Sequence, residues 1–168
     1  MQNGIEFFTA TCLNWQQLLA ADARKQIVLD SLGFLVTEKR IWLYGYVIMP
    51  NHVHILWRKQ DAWLDKNVQQ QFSKFTAQKF KFSLLDAGED ISKYKSTQSD
   101  REYQFWERRP FEVTMYNRKV LEEKPDYIHF NPVKAGLCLL PEDYYFSSAG
   151  YYLVNRSNLI ITHYMDHI

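Results

Sequence analysis

The sequence of 168 residues contains only two cysteines, Cys12 and Cys138, and neither lies in a paired-cysteine motif. This scarcity argues against a disulfide framework and against a cysteine-based zinc site. No stretch reaches the roughly 18 apolar residues that a transmembrane helix needs, and residues 1–4 lack the basic start and apolar middle of a signal peptide. We therefore expect a soluble cytoplasmic protein with no membrane partner.

The sequence also lacks an excess of charge, because 20 Lys and Arg residues face 19 Asp and Glu residues and leave a net charge of +1. Such a balance argues neither for nor against a nucleic-acid partner, since a global balance can hide a one-sided distribution. Internal repeats and low-complexity tracts are missing as well. The chain is instead 46% hydrophobic and 16% aromatic, which predicts one compact domain over residues 1–168.

The hydrophobic periodicities predict the element order β-α-β-β-α-β-α. We expect an α+β fold of the ferredoxin-like type, in which helices pack on one face of an antiparallel β-sheet and an extra helix lies near the C-terminus. Asn14 is predicted to cap the first helix, with Gln17 reaching back to it. The predicted elements are strands at 5–12, 41–49 and 52–57, helices at 15–38 and 64–85, a mobile polar loop or hairpin excursion at 86–103, a bent or edge strand within 104–116, and a helix from Asn117 toward Tyr127.

His52 and His54 stand one residue apart within an otherwise apolar and aromatic stretch, residues 41–57. Side chains at i and i+2 of a strand share a face, so both imidazoles would point the same way, with Val53 and Ile55 packing behind them. Two parallel imidazoles can chelate one metal ion. Two partly exposed strand histidines without a metal are about as common, and a third ligand is needed to decide.

Basic residues alternate with aromatic ones in two places. Between residues 66 and 81 four lysines occur with no acid among them, and Trp106 precedes the basic pair Arg108 and Arg109. Such a pattern suits a surface that follows a phosphate backbone and stacks bases. The alternative, which composition favours, is a solvated helix whose apolar stripe faces inward. That stripe would comprise Val68, Phe72, Phe75, Lys79 and Phe82.

Tyr127 and Asn131 are four residues apart, so on a helix they lie on one face. Pro132 and Gly136 follow directly and put the pair in the last turn of that helix. A phenol and an amide oxygen one turn apart could serve as a nucleophile and a metal ligand. Taken alone, such a pair is far more often a packed aromatic residue and a C-terminal hydrogen-bonding residue.

Several motifs, in this order and spacing, resemble those of the REP-associated tyrosine transposases. This family belongs to the single-tyrosine, His-hydrophobic-His (HUH) superfamily of transposases and endonucleases that act on single-stranded DNA. The match covers most of the chain. Its motifs are MPNHVHIL at 49–56, FWER at 105–108, DYIHFNPVKAGL at 126–137, and PEDY with SSA within 141–149.

The resemblance implies a role for four residues. His52 and His54 would be paired ligands of a divalent ion, Mg²⁺ or Mn²⁺, and Asn131 would be the third, amide-type ligand. Tyr127 would be the nucleophile that cleaves single-stranded or hairpin DNA, forming a 5′-phosphotyrosine and a free 3′-hydroxyl. Because that link conserves bond energy, another 3′-hydroxyl could reverse the step without ATP. A nucleoid-associated monomer or homodimer would be expected.

Weaker candidates for DNA contact are Lys74, Lys79, Arg108, Arg109 and Lys134, each individually no better than a surface charge. His129 points away from Tyr127 on a helix and is predicted to be structural or DNA-facing.

The chain departs from the family pattern in two places. Lys124-Pro125 replaces an apolar helix former and predicts a kink or a restart of the helix at Pro125. The tail, residues 151–168, resembles nothing assignable, although residues 159–162 are strand-like. Two other functions stay open: a catalytically quiet binder of structured single strands, and a metal phosphohydrolase that uses the histidine pair alone but lacks the further histidines such enzymes usually need.

Overall fold

A four-stranded antiparallel sheet with the strand order β2-β3-β1-β4 organises the chain, in a computed structural model that describes residues 4–168. This order and the helices packed on the sheet confirm the α+β, ferredoxin-like prediction. The strands are β1 (Ile5–Thr11), β2 (Ile41–Ile48), β3 (His52–Lys59) and β4 (Phe111–Met115), and the helices are α1 (Asp22–Thr37), α2 (Val68–Asp86), α3 (Arg118–Lys134) and α4 (Ala149–Val154).

The two faces of the sheet bury two separate apolar clusters, because successive side chains of a strand point to opposite faces. On one face Phe8, Ile55 and Trp57 pack with the buried sides of α1 and α2. On the other face Phe7 and Leu56 pack with the buried side of α3. The prediction of helices on one face therefore holds for α1 and α2, and α3 is the additional helix that covers the opposite face.

The first helix begins at Asp22, so the predicted start near Asn14 is wrong. Asn14 and Trp15 both have left-handed backbone conformations, with φ of 53° and 55°, which a helix cannot contain. Long-range contacts outweigh the local helix signal here. The Leu19 N–H donates to the carbonyl of Pro50 at 2.9 Å, and Leu18 and Leu19 are both buried.

Helix α2 buries a different face from the one predicted. Its buried residues recur every four positions, while Phe75 and Phe82, expected on the inner face, are exposed. The indole N–H of Trp106 donates to the Thr76 hydroxyl at 2.9 Å, a contact from a distant segment that sets the helix rotation. The helix is capped by the side chain of Asn67, so it starts at Val68 rather than at Leu64. The buried residues are Val68, Phe72, Thr76, Phe80 and Leu84.

Residues 86–103 are anchored at their centre, because Tyr94 is buried with its ring centroid 5.1 Å from that of Phe105. Strand β4 begins directly after Pro110 and pairs only with β1, which confirms the predicted edge position. The strand-like residues 159–162 form a single parallel bridge, between Ile161 and Leu43, and not a strand.

Helix α3 starts after the predicted cap, Asn117, whose side chain accepts the Lys119 N–H at 2.9 Å. It runs to Lys134 without interruption, so the predicted kink or restart at Pro125 does not occur. Proline removes one helical hydrogen bond, but burial of Leu121 and Ile128 against the sheet stabilises the helix on either side of it. Gly136 ends the helix with φ of 75°, a conformation that glycine adopts readily. Among the residues described, no helix is long and apolar enough to cross a membrane.

His129 lies in the core between α3 and the segment before α4, as a structural residue. Its Nε2 and the Ser148 hydroxyl share a hydrogen bond of 2.8 Å, and the same hydroxyl accepts the Tyr46 N–H at 3.0 Å. Burial lowers the pKa of His129 from 6.5 to about 4. The buried imidazole is therefore neutral at pH 7.

We predict that protonation of His129 destabilises the fold between pH 6.5 and pH 4. The folded pKa is depressed, so the unfolded chain binds the proton first, and about 3 kcal/mol of stability present above pH 6.5 is lost as the pH falls. Urea unfolding should show a shallower pH dependence for His129→Gln than for the natural chain. Equal slopes for the two proteins would contradict the assignment.

Candidate active site

Strands β1 and β3 place the two histidines on the sheet face that α3 covers. His52 lies opposite Thr11 and His54 lies opposite Thr9 in the antiparallel register. The two imidazole centroids are 4.8 Å apart. Val53 and Ile55 point to the other face and are buried there, as the period of the strand predicts.

Each imidazole is held at its Nδ1 atom by a neighbouring oxygen. The Thr9 hydroxyl is 2.7 Å from Nδ1 of His54. The amide oxygen of Asn51 is 2.7 Å from Nδ1 of His52, and because a carbonyl oxygen only accepts, this Nδ1 carries the proton. The lone pair of His52 is therefore on Nε2, the tautomer that a metal-binding histidine uses when its Nδ1–H is held by another group.

Helix α3 brings Tyr127 and Asn131 onto the histidine pair. The Tyr127 ring centroid is 5.3 Å from that of His54 and 5.9 Å from that of Phe7. One turn later, the Asn131 side chain lies beside His52. Tyr127 is 44% exposed, so its phenol is accessible from outside. The four residues named from sequence meet at one place. The prediction that the pair lies in the last turn of its helix is wrong for Tyr127, because α3 continues through Pro132 to Lys134.

Burial keeps both imidazoles neutral. It lowers the pKa of His54 to about 3, and the charges of His52 and Lys124 act in the same direction. Burial also lowers the pKa of His52, while its hydrogen bond with Asn131 opposes that shift. At pH 7 both rings can therefore offer a lone pair.

The donor set that these residues present consists of two imidazole nitrogens and one amide oxygen. Within residues 4–168 no group of three or more His, Cys, Asp or Glu side chains is placed to hold a metal. Imidazole suits transition metals, and amide oxygen suits Mg²⁺ and Mn²⁺. Two neutral imidazoles and one amide oxygen fit a divalent ion, and Mn²⁺ matches both donor types better than Mg²⁺ does.

The five candidate basic residues lie in three different places. Lys74 and Lys79 lie on α2, on the opposite side of the sheet from the histidines, so the structure does not bring them to the site. Lys134 does reach it, with Nζ 5.9 Å from the Tyr127 ring centroid. Arg108 and Arg109 line an open cleft that Thr11 and Trp15 also line.

Sequence reasoning missed two residues at the site. Lys124 Nζ lies 4.8 Å from the Phe7 ring centroid and 5.6 Å from that of Tyr127. Its position three residues before Tyr127 was a usable signal, since i and i+3 share a helix face. Trp15 contacts His52 with ring centroids 6.1 Å apart. The sequence carried no comparable signal for this contact, because it depends on the left-handed turn at residues 14 and 15.

Known proteins resemble this chain in sequence and in fold. No family model matches the chain. A curated Haemophilus influenzae protein described as a REP-associated tyrosine transposase is 31% identical over 101 residues, which is 60% of this chain and 54% of that protein. The chain thus spans about half the length of the curated relative it matches.

Two solved structures are similar to the chain, and the first of them shares its architecture. A REP-associated tyrosine transposase bound to a REP hairpin has a TM-score of 0.63 and 20% identity, covering 95% of this chain and 88% of its own. A Deinococcus radiodurans transposase has a TM-score of 0.48 and 14% identity, covering 74% and 88%. The chain therefore shares its α+β fold with the first of these structures. In sequence it is similar to the REP-associated tyrosine transposases, which confirms the resemblance its motifs indicate.

We predict that the His54 imidazole of the metal-free protein stays neutral at pH 5, because burial lowers its pKa to about 3. An NMR titration of the ring signals checks this. The same protein in denaturing urea is the control, where the ring should titrate near about 6.5. Titration of the folded protein near that value would show that the ring is not buried as described.

Proposed function

We propose that this protein is a metal-dependent nuclease and strand transferase acting on single-stranded DNA, with Tyr127 as its nucleophile. The observation that supports the proposal best is the contact between Tyr127 and His54, together with the position of the Asn131 side chain beside His52. A helix and a sheet strand thereby present a phenol and two neutral imidazoles to the same point. The similarity to a REP-associated tyrosine transposase supports the same reaction class.

In the proposed reaction the Tyr127 phenol loses its proton and its oxygen attacks the phosphorus of a DNA phosphodiester. The bond between phosphorus and the 3′-oxygen breaks, and the 3′-oxygen leaves with the electron pair and takes up a proton. The products are a 5′-phosphotyrosine and a free 3′-hydroxyl. Attack of another strand's 3′-hydroxyl on the phosphotyrosine reverses the step and joins that strand, so the number of phosphodiester bonds is conserved.

His52, His54 and Asn131 would hold the divalent ion, Mg²⁺ or Mn²⁺. When bound, such an ion acts as a Lewis acid and template for a phosphate. The protein's part is to keep the two rings neutral and fixed at Nδ1 by Thr9 and Asn51. The rigid sheet and the packed helix preset their relative position, which lowers the entropy cost of reaching the reactive geometry.

The proposed partner is hairpin DNA with an unpaired flank. The two ammonium groups beside Tyr127, from Lys124 and Lys134, suit the phosphates on either side of the reacting one. The solved relative is bound to a REP hairpin, which makes a hairpin the natural first substrate to test. All four site residues come from one chain, so either a monomer or a homodimer in the cytoplasm, at the nucleoid, could carry out the reaction.

The decisive experiment is a covalent-adduct assay. Protein is incubated with Mn²⁺ and a labelled hairpin oligonucleotide carrying single-stranded flanks, drawn from the DNA beside the gene. We expect a denaturation-resistant complex that Tyr127→Phe abolishes, because phenylalanine has no nucleophilic oxygen. Tyr116→Phe is the matched control, since Tyr116 is an exposed tyrosine just before α3, and it should retain the adduct. An adduct formed normally by Tyr127→Phe would disprove the assignment.

The same assay separates the proposal from a catalytically quiet DNA binder. A quiet binder would retain the hairpin without metal and after His52→Ala, and would form no adduct under any condition. A phosphohydrolase that uses the histidine pair alone would instead tolerate Tyr127→Phe and hydrolyse small phosphodiesters.

A second prediction concerns metal affinity. Thr9→Val removes the hydroxyl that holds Nδ1 of His54 while keeping a β-branched side chain in β1. Loss of such an outer contact typically weakens metal binding by about 10- to 100-fold. Isothermal titration with Mn²⁺ measures the change. Thr114→Val, on the edge strand β4 and away from both histidines, should bind Mn²⁺ as the natural chain does; equal affinities for all three proteins would refute this role of Thr9.

A further inference from the structure

Trp15 is a large aromatic side chain held outside the core beside the candidate metal ligands. Its indole is 61% exposed, and its ring centroid lies 6.1 Å from that of His52. An exposed indole is costly to leave in water, and a nucleobase is a flat group that could cover it. The position next to His52 therefore suits an unpaired nucleotide close to the reacting phosphate.

The backbone around Trp15 is fixed rather than loose. Asn14 and Trp15 are consecutive left-handed residues, a rare conformation for residues other than glycine. The Asn14 N–H donates to a carboxylate oxygen of Glu107 at 2.7 Å, and the Leu13 N–H donates to the carbonyl of Phe105 at 2.8 Å. These contacts with residues 105–107 hold the indole in its outward position.

Trp15 borders an open cleft of about 560 Å³, large enough for a nucleotide. Arg108 and Arg109 line the cleft, as does the amide side chain of Gln104. Arg108 is partly neutralised by Asp100 at 3.4 Å. Arg109 is exposed and makes no ion pair with any residue from 4 to 168, so its charge is available to a phosphate.

The aromatic contacts run in the order Trp15, His52, His54, Tyr127. Tyr127 and Trp15 thus lie at opposite ends of the histidine pair. In an in-line displacement the leaving oxygen departs on the side opposite the nucleophile. The 3′-oxygen, and the nucleotide that carries it, therefore point away from Tyr127, and Trp15 is the exposed aromatic side chain at the other end of the histidine pair.

We propose that Trp15 is a stacking platform for the base of the nucleotide immediately upstream of the cleaved phosphate, with Arg109 contacting that nucleotide's own phosphate. This inference rests on the proposed function, because it uses Tyr127 as the nucleophile. It assigns the cleft to the leaving strand, whose 3′-hydroxyl Trp15 would retain near the phosphotyrosine for the reverse reaction.

The test measures binding rather than cleavage. The wild-type protein first maps the cleavage position on the hairpin oligonucleotide. Affinity is then measured in the Tyr127→Phe background, with Mn²⁺, for three oligonucleotides: intact, abasic at the nucleotide just upstream of the cleaved bond, and abasic just downstream. Each is tested with Trp15 present, with Trp15→Ala, and with Trp15→Phe. Tyr145→Ala removes a comparably exposed aromatic ring that does not line the cleft, and it is the control.

With Trp15 present, we expect the upstream abasic site to weaken binding by about 5- to 100-fold and the downstream one to have a much smaller effect. Trp15→Ala should weaken binding of the intact oligonucleotide by a similar factor. The affinity of this variant should no longer depend on the upstream abasic site. Trp15→Phe should restore part of the affinity and part of its dependence on the upstream base. Tyr145→Ala should leave the affinity and that dependence unchanged. A merely structural tryptophan would lower affinity for all three strands equally.

The outcomes separate this inference from the proposed function. If the wild-type protein forms the adduct but the upstream abasic site and Trp15→Ala act independently, the platform is overturned and the nuclease stands. If the downstream site is the one coupled to Trp15, the assigned strand direction is wrong and the inference fails. If no hairpin yields an adduct, the proposed function is wrong. The inference about Trp15 is then wrong as well, because no nucleotide leaves from a cleaved strand.

Discussion

The packing of α3 across the histidine-bearing face of the sheet is the contact on which the rest of the site depends. Leu121 and Ile128 bury themselves with Phe7 and Leu56 in one apolar cluster, and this burial sets the rotation of the helix. Once the rotation is set, Tyr127 and Asn131 must face β3, because they occupy the same side of the helix one turn apart. Pro125 lies within this helix, and the packing on both sides outweighs its missing hydrogen bond.

The same burial determines the chemistry of the imidazoles. His54 is almost fully covered by β1, β3 and α3, and a charged ring would lose its hydration there, so its pKa falls to about 3. A neutral ring keeps one nitrogen lone pair that can bind a metal ion, which a charged ring lacks. The half-exposed Tyr127 stands at the rim of that covered region. The site therefore combines a buried donor pair with a phenol that is accessible from outside.

Residue type and hydrophobic periodicity predicted the elements whose local conformational preference agrees with their packing in the fold. Strands β2 and β3, the edge position of β4, and the Asn117 cap all follow from residue type and period. The start of α1 and the buried face of α2 did not follow, because each is decided by a distant partner. The Pro50 carbonyl holds the Leu19 N–H, and the Trp106 indole holds Thr76. Lys74 and Lys79 fell on the far side of the sheet for a related reason, since sequence spacing cannot say which face a helix covers.

The sequence by itself determined which residue types could act, and where they stand along the chain. The i, i+2 spacing put His52 and His54 on one face, and the i, i+4 spacing put Tyr127 and Asn131 on another. Only the tertiary structure decided that those two faces meet, and that Lys124 and Trp15 stand beside them. The physical reason is range. Backbone periodicity acts over a few residues, whereas the approach of α3 to β3 depends on apolar burial between segments more than sixty residues apart, which no local pattern encodes.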